Sequence, residues 1–422
     1  MSAPASTSRI ALASLVGTAI EFYDFYIYGM AAALVIGPVF FPESDPAAQA
    51  LNAFLTFGVA FLARPLGAAL FGHFGDRVGR KATLVASLLV MGGSTTLIGL
   101  LPGYAMIGWP APVLLCLLRF GQGIGLGGEW GGAALLATEH APEGRRGWFG
   151  MFPQLGPPVG FLLAVGSFLL LSLLLSEADF KAWGWRLPFL ASAVLVMVGL
   201  YVRLKLAETP AFGRLLERQA RARLPLVELL RHHAMPLLLG SGAMVVCYAL
   251  FYIATVFALS YGTATLGIPR PQFLMMLCAA VVCMALATPL AAAAGDRFGR
   301  RPVLIVAALG ALLSGFALAP LLGSGDPVRI TLYLCLSLTL MGLSFAPMGA
   351  LLPELFPPQV RYSGAGTAYQ LGGILGAALA PYIAQKLVVQ GGLGWVGGYV
   401  SVAALISLLA VCAMRETRDR PF

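Results

Sequence analysis

The sequence predicts an all-α integral membrane protein, with twelve transmembrane helices in two pseudo-symmetric six-helix bundles. Three observations lead there. Hydrophobic residues make up 59% of the 422 positions and charged residues only 11%, whereas an average soluble domain is about 25% charged. The apolar residues gather into twelve runs, and a run of about 20 residues spans the hydrocarbon core of a bilayer. A short Gly-Asp-Arg motif after the second run returns after the eighth.

In chain order the runs lie near 10–40, 49–72, 82–102, 110–138, 148–175, 183–206, 233–262, 271–294, 302–322, 329–352, 363–389 and 393–414. The first begins too close to the start and is too long for the apolar region of a cleavable signal peptide. The longest polar break gives the expected domains: an N-terminal bundle over 1–206, a linker over 207–231 and a C-terminal bundle over 232–422. An even number of spans puts both termini on one side, and the basic residues indicate which. The linker and its edges carry Arg203, Lys205, Arg214, Arg218, Arg221, Arg223 and Arg231. On the same side fall Arg9, Arg77, Arg80, Lys81, Arg145, Arg146, Arg297, Arg300, Arg301, Arg361, Arg415, Arg418 and Arg420. The other side has only Lys181, Arg186, Arg270, Arg329 and Lys386. The positive-inside rule therefore predicts a plasma (inner) membrane protein with cytoplasmic termini. The net charge of +9 is explained by topology and gives no reason to expect a nucleic-acid partner.

The halves read as copies. Gly75-Asp76-Arg77-Val78-Gly79-Arg80-Lys81 recurs as Gly295-Asp296-Arg297-Phe298-Gly299-Arg300-Arg301. Glu139, Arg145 and Gly147 are echoed by Glu354, Arg361 and Gly364, and Gln154-Leu155-Gly156 by Gln370-Leu371-Gly372. Secondary transporters are often built from such repeats, with the substrate site near the midplane between them.

The chemistry concentrates in the first half. Glu21 and Asp24 lie inside the first apolar run, and on a helix they share a face with Tyr28, at i, i+3 and i+7. A charge at a helix centre costs about 2.5–3.5 kcal/mol on insertion scales, so it faces a partner or a water-filled cavity. Arg64 and Arg119 lie inside runs 2 and 4, with Gln122 one turn beyond Arg119. A buried arginine stays charged and needs an anion. These residues suggest proton coupling at Asp24 and Glu21, and substrate binding by Arg64, Arg119, Gln122 and Tyr28. Tyr248, Tyr252 and Gln370 are the contacts expected from the second half, the alternative for the tyrosines being core packing. Gly123-Ile124-Gly125-Leu126-Gly127-Gly128 fits a dinucleotide pattern formally, but no strand precedes it. Small residues at this spacing read better as a close helix-packing surface. The six cysteines show no metal-ligand spacing, and no metal or other cofactor is expected.

Gly72-His73-Phe74-Gly75-Asp76-Arg77-Val78-Gly79-Arg80-Lys81 resembles the loop 2–3 signature of the major facilitator superfamily. Gly17–Gly29, Arg119–Trp130, Glu208–Phe212 and Pro353–Gly364 are similar to its metabolite:proton symporter branch, whose members carry citrate, 2-oxoglutarate, shikimate, or proline and betaine. Two departures stand out: Phe22, where the branch more often has Trp, and a short tail after Met414 without the coiled-coil extension of osmosensing members. The turn places one acid among bases, so Asp76 can meet a helix N-terminus or an arginine when the ends of the halves close. The resemblance implies a conformational latch of Gly72, Asp76, Arg77, Gly79, Arg80 and Glu139 that favours the outward-open state. Asp296, Arg297 and Arg300 form its weaker copy.

The expected function is proton-coupled import of a small organic acid, a mono- or dicarboxylate, by alternating access. Protonation of Asp24 would loosen its hold on Arg119, whose guanidinium would then take the substrate carboxylate. A zwitterion symporter of the proline/betaine type and a proton-independent facilitator or exchanger are the alternatives. The expected partners are a small organic anion, H+ and membrane lipid, and the expected state is a monomer. An enzyme is disfavoured: the histidines (73, 140, 232, 233) lie at the edges of the apolar runs, and neither HExxH nor GxSxG occurs.

Overall fold

The computed structural model describes residues 7–78, 80–127, 134–135, 137–138, 141–207, 225–358 and 360–419. The side chains of 7–11, 13, 47, 72–84, 202–207, 225–228 and 362 are outside that description. Among the described residues there are helices and no strands. Lipid offers no hydrogen bonds, so a spanning chain must satisfy its own backbone, which a helix does. Among the described residues ten helices are long and apolar enough to cross a membrane, and the shorter apolar helices Val85–Leu100 and Pro110–Leu126 bring the total to the expected twelve.

We label these α1 (Thr7–Ala31, continued by a π-helical turn Ala32–Ile36 and by Gly37–Phe40), α2 (Pro46–Val78), α3 (Arg80–Leu100), α4 (Pro110–Leu126), α5 (Arg146–Leu174) and α6 (Leu187–Ala207). The second set is α7 (Ala234–Tyr252, with a π-turn Ile253–Phe257 and then Ala258–Ala264), α8 (Arg270–Phe298), α9 (Arg300–Leu322), α10 (Pro327–Phe345, then Met348–Glu354 past a break), α11 (Arg361–Gly373, with a π-turn Ile374–Ala378 and then Ala380–Gly391) and α12 (Leu393–Ala413). Large apolar side chains such as Leu174, Leu290, Phe316 and Leu409 point outward, as lipid-facing helices require. Inside, Phe25, Tyr28, Phe57, Phe61 and Tyr252 are buried in one continuous core.

The α4 glycines form a packing surface, as their spacing suggests. A Cβ at Gly123 or Gly127 would collide with the α2 carbonyls of Ala60 and Arg64, and one at Gly121 or Gly125 would meet Ser94 or Met91 of α3. One helix is thereby pressed against two neighbours, with Arg119 one turn away from these contacts. The π-turns of α1 and α7 begin at Ala32 and Ile253, close to the offset of the repeated motif. They meet between the halves, where a Cβ at Gly29 would lie 3.1 Å from Val256 Cγ2. Gly58 of α2 likewise packs on the Ala378 carbonyl of α11.

Gly123→Val should lower the Tm of the purified protein, because overpacking against backbone costs about 1–3 kcal/mol or more. Gly93→Ala, where an added Cβ meets nothing within 4 Å, should leave Tm unchanged or raise it.

Candidate functional site

Asp24 is completely buried. One carboxyl oxygen, Oδ1, accepts a hydrogen bond from Ser192 Oγ of α6 at 2.6 Å, and Oδ2 has no hydrogen-bond partner. Glu21, one turn earlier and also buried, lies near enough to Tyr369 of α11 to act on it electrostatically. Tyr28 shares a hydrogen bond with Thr56 Oγ1 at 2.5 Å. Its ring lies 3.8 Å from the Arg119 guanidinium carbon.

The two buried arginines have opposite surroundings. Arg119 uses all three nitrogens: Nε donates to the Thr56 carbonyl (3.4 Å), Nη2 to the Phe57 carbonyl (3.1 Å) and Nη1 to Gln122 Oε1 (2.5 Å). Gln122 in turn donates to Thr95 Oγ1 at 2.7 Å and reaches the Asp24 carbonyl at 3.5 Å. The cluster fastens α4 to α1, α2 and α3. Arg64, 1% exposed, is flanked by the rings of Phe25 and Phe61, whose centroids lie 4.4 and 4.2 Å from its guanidinium carbon. Its Nε and Nη2 have no hydrogen-bond partner. Phe61 leads into the second half through edge contacts with Tyr248 and Tyr252, centroids 6.3 and 5.6 Å away. Tyr248 meets Tyr369 at 5.7 Å.

The echoed glutamines make mirrored contacts. Gln370 Nε2 of α11 donates to the Gly127 carbonyl at the end of α4 (2.9 Å), and Gln154 Nε2 of α5 donates to the Phe345 carbonyl at the break in α10 (2.9 Å). Helix ends leave carbonyls without intrahelical partners, and here a glutamine from the opposite half supplies the donor in both cases.

Both ends of the α5–α8 seam are fastened. At the end bearing the termini, Asp296 of α8 accepts from the backbone N–H groups of Gly147 and Trp148 in the first turn of α5, both at 2.8 Å. A carboxylate is favoured at such a positive helix end. Arg300 holds Asp296 at 2.8 Å and Glu354 at 3.3 Å. Glu416 accepts from the Arg300 and Arg301 backbone amides. Partial burial would push the Glu416 carboxyl up, but the N–H groups of Arg300, Arg418, Arg301 and Thr417 together hold it below the ordinary value. At the opposite end, Arg270 pairs with Glu177 at 2.7 Å, donates to Ser172 Oγ at 2.6 Å and covers the ring of Phe180.

Known proteins agree with this architecture. The family profile "Sugar (and other) transporter" matches residues 10–233, and "Major Facilitator Superfamily" matches 239–421. The chain belongs to the major facilitator superfamily. The inner membrane metabolite transport protein YhjE of Escherichia coli is 54% identical over 98% of this chain and 96% of its own. The shikimate transporter of E. coli is 40% identical over 97% and 95%. The xylose transporter XylE from E. coli, in a partially occluded inward-open conformation, superposes with a TM-score of 0.75 at 18% identity, covering 99% of both chains. This major facilitator protein is a multi-pass membrane transporter and not an enzyme.

Several expectations are corrected by the geometry. Asp24 and Arg119 do not pair: the guanidinium donates instead to two α2 carbonyls and Gln122, and Asp24 turns to Ser192 of α6. The open arginine is Arg64. The Arg297 guanidinium lies over the Phe298 ring, and its carbonyl accepts from Arg418. Gly79, Glu129 and Glu139, the side chains of Asp76, Arg77 and Arg80, and the surroundings of Gly72 near the end of α2 lie outside the described residues. The charge network around the first copy of the motif is therefore not described, whereas at the second Arg300 joins Asp296 and Glu354. Ser192, Thr56, Arg270, Glu177 and Glu416 were not anticipated. Arg270 carried a signal in being basic on the sparsely basic side; a lone serine or threonine carried none.

Asp296→Asn should speed alkylation of Met151→Cys in a background without the native cysteines, because Met151 is buried beside Ala291, Ala292 and Ala346 in this seam. Arg270→Gln, which loosens the other end, should slow it.

Proposed function

We propose that this transporter imports a small organic anion together with a proton by alternating access. The observation that carries the reading is the buried Arg64, whose Nε and Nη2 have no partner. A guanidinium does not give up its charge in a protein, and a buried charge is stable only when paired. A carboxylate entering between the halves supplies the pair, bidentate on the planar fork. The shikimate transporter among the relatives supports an organic acid, since shikimate is a carboxylate.

Asp24 is the proton carrier in this scheme, with Glu21 as a second acid on the same helix. Asp24 holds only a serine hydroxyl, so its charge changes by taking up or losing a proton. Arg119 and Gln122 hold α4 against α1 and α2 so that Arg64 and Asp24 keep their places. Tyr248, Tyr252 and Gln370 are the groups from the second half that close over the substrate. The halves, 1–206 and 232–422, rock about the linker 207–231. Asp296 and Arg300 fasten the end bearing the termini, and Arg270 with Glu177 fastens the other. The asymmetry of lysine and arginine supports cytoplasmic termini, and the name of the YhjE relative supports an inner-membrane location.

Uptake of organic acids into proteoliposomes under an imposed pH gradient tests the proposal. Accumulation should require an acidic exterior. Asp24→Asn should abolish pH-driven accumulation while leaving substrate exchange; undiminished accumulation in that variant would remove Asp24 from the coupling step.

A further inference from the structure

We infer that the site takes a single carboxylate, so that the substrate is a monocarboxylate with an otherwise uncharged body. This inference rests on the organic-anion reading above and narrows it. Two arginines buried in the membrane suggest two anionic groups on the substrate, but their hydrogen bonds argue against two. Three of the five N–H groups of Arg119 are already taken by protein acceptors, one on each nitrogen; carbonyls occupy its Nε and Nη2, and the ring of Tyr28 covers one face. Two of those acceptors are main-chain carbonyls of α2, which a side-chain rotation cannot withdraw. Arg64 keeps its Nε–Nη2 edge wholly free. Its bare atoms, Nε and Nη2, lie on the same side of the planar group and together make the side-on fork that fits the two oxygens of one carboxylate.

Among the described residues, the surroundings of Arg64 offer a second ionised group the neutral hydroxyls of Tyr248 and Tyr369 and no second free guanidinium fork. Phe25 and Phe61 flank the guanidinium, and the rings of Tyr248 and Tyr252 follow. Aromatic faces carry the negative part of the ring quadrupole and repel an anion. Gly127 packs on the main chain of Arg64, and Gln370 bonds the Gly127 carbonyl. Its unpartnered atom is Oε1, an acceptor that suits a hydroxyl on the body and opposes a carboxylate. The other described basic side chains of the second half that are buried, Arg270, Arg300 and Arg361, lie at helix ends and are engaged there. A second carboxylate would find as its nearest other cation Arg119, which lies against the same Phe25 ring and already donates to three protein acceptors. An incompletely paired buried charge is unfavourable.

The test is ligand-induced stabilisation of the purified full-length transporter by matched acids: benzoate against terephthalate, and cyclohexanecarboxylate and shikimate against cyclohexane-1,4-dicarboxylate, with betaine as the zwitterion. The monocarboxylates should raise Tm, and the dicarboxylates should bind about tenfold to a hundredfold more weakly, the range expected for charged hydrogen bonds left unmade. Arg64→Gln should remove the shift and Arg64→Lys should reduce it. Arg119→Lys should lower the Tm of the unliganded protein yet keep the preference for one carboxylate. Dicarboxylates binding as tightly as their partners, or acid binding that survives Arg64→Gln, would overturn the inference and leave the organic-anion reading standing. Stabilisation by betaine and by none of the acids would overturn that reading itself.

Discussion

A guanidinium group placed in hydrocarbon must find acceptors, and this protein places two there and treats them differently. Arg119 is completed by the fold: main-chain carbonyls of Thr56 and Phe57, the amide of Gln122 and the ring of Tyr28 surround it. Arg64 receives aromatic faces but no hydrogen-bond acceptor for Nε and Nη2. Cation–π contacts offset part of the cost of burying that charge and leave its donors available. The first arginine therefore holds helices of the bundle together, and the second is the group to which the proposed function assigns the anion. The glycine faces of α4 are needed for both, since only close backbone approach brings α2, α3 and α4 within reach of one another.

The same economy governs the seam between the halves. Backbone groups left over at helix ends are taken up by side chains from the other half: Gln154 on the Phe345 carbonyl, Gln370 on the Gly127 carbonyl, and Asp296 on the amides of Gly147 and Trp148. Such contacts are polar, few and local, so they can be exchanged as the halves move without exposing a large apolar surface. Arg270 and Glu177 add a charged contact at the other end of the same helix pair. The α5–α8 pair is thus fastened at both of its ends.

Much of this was legible in the sequence. Twelve apolar runs gave the twelve helices, most of them to within a few residues, the run 110–138 reaching beyond α4 into residues that are largely outside the description, and the repeated motif revealed the pseudo-symmetry. Arg64, Arg119, Asp24 and Glu21 were conspicuous because charge is rare in an apolar run. Their pairing was not legible. Every residue has a carbonyl, so nothing in the sequence marks Thr56 and Phe57 as the acceptors for Arg119, and Ser192 is one hydroxyl among many. The glutamine echo was visible as a repeat, but its crossed bonding depends on where α4 and α10 break. Arg270 looked like one stray basic residue, because its partners Ser172 and Glu177 lie at the end of α5 and in the short helix Glu177–Ala182 that follows it.

The measurement that bears most directly on the central claim is proton movement caused by substrate. In weakly buffered medium, adding an organic acid to vesicles containing the transporter should make the exterior more alkaline as anion and proton enter together, and Arg64→Gln should abolish that signal. Uptake of the acid with no accompanying proton movement, or an unchanged signal in Arg64→Gln, would contradict the account.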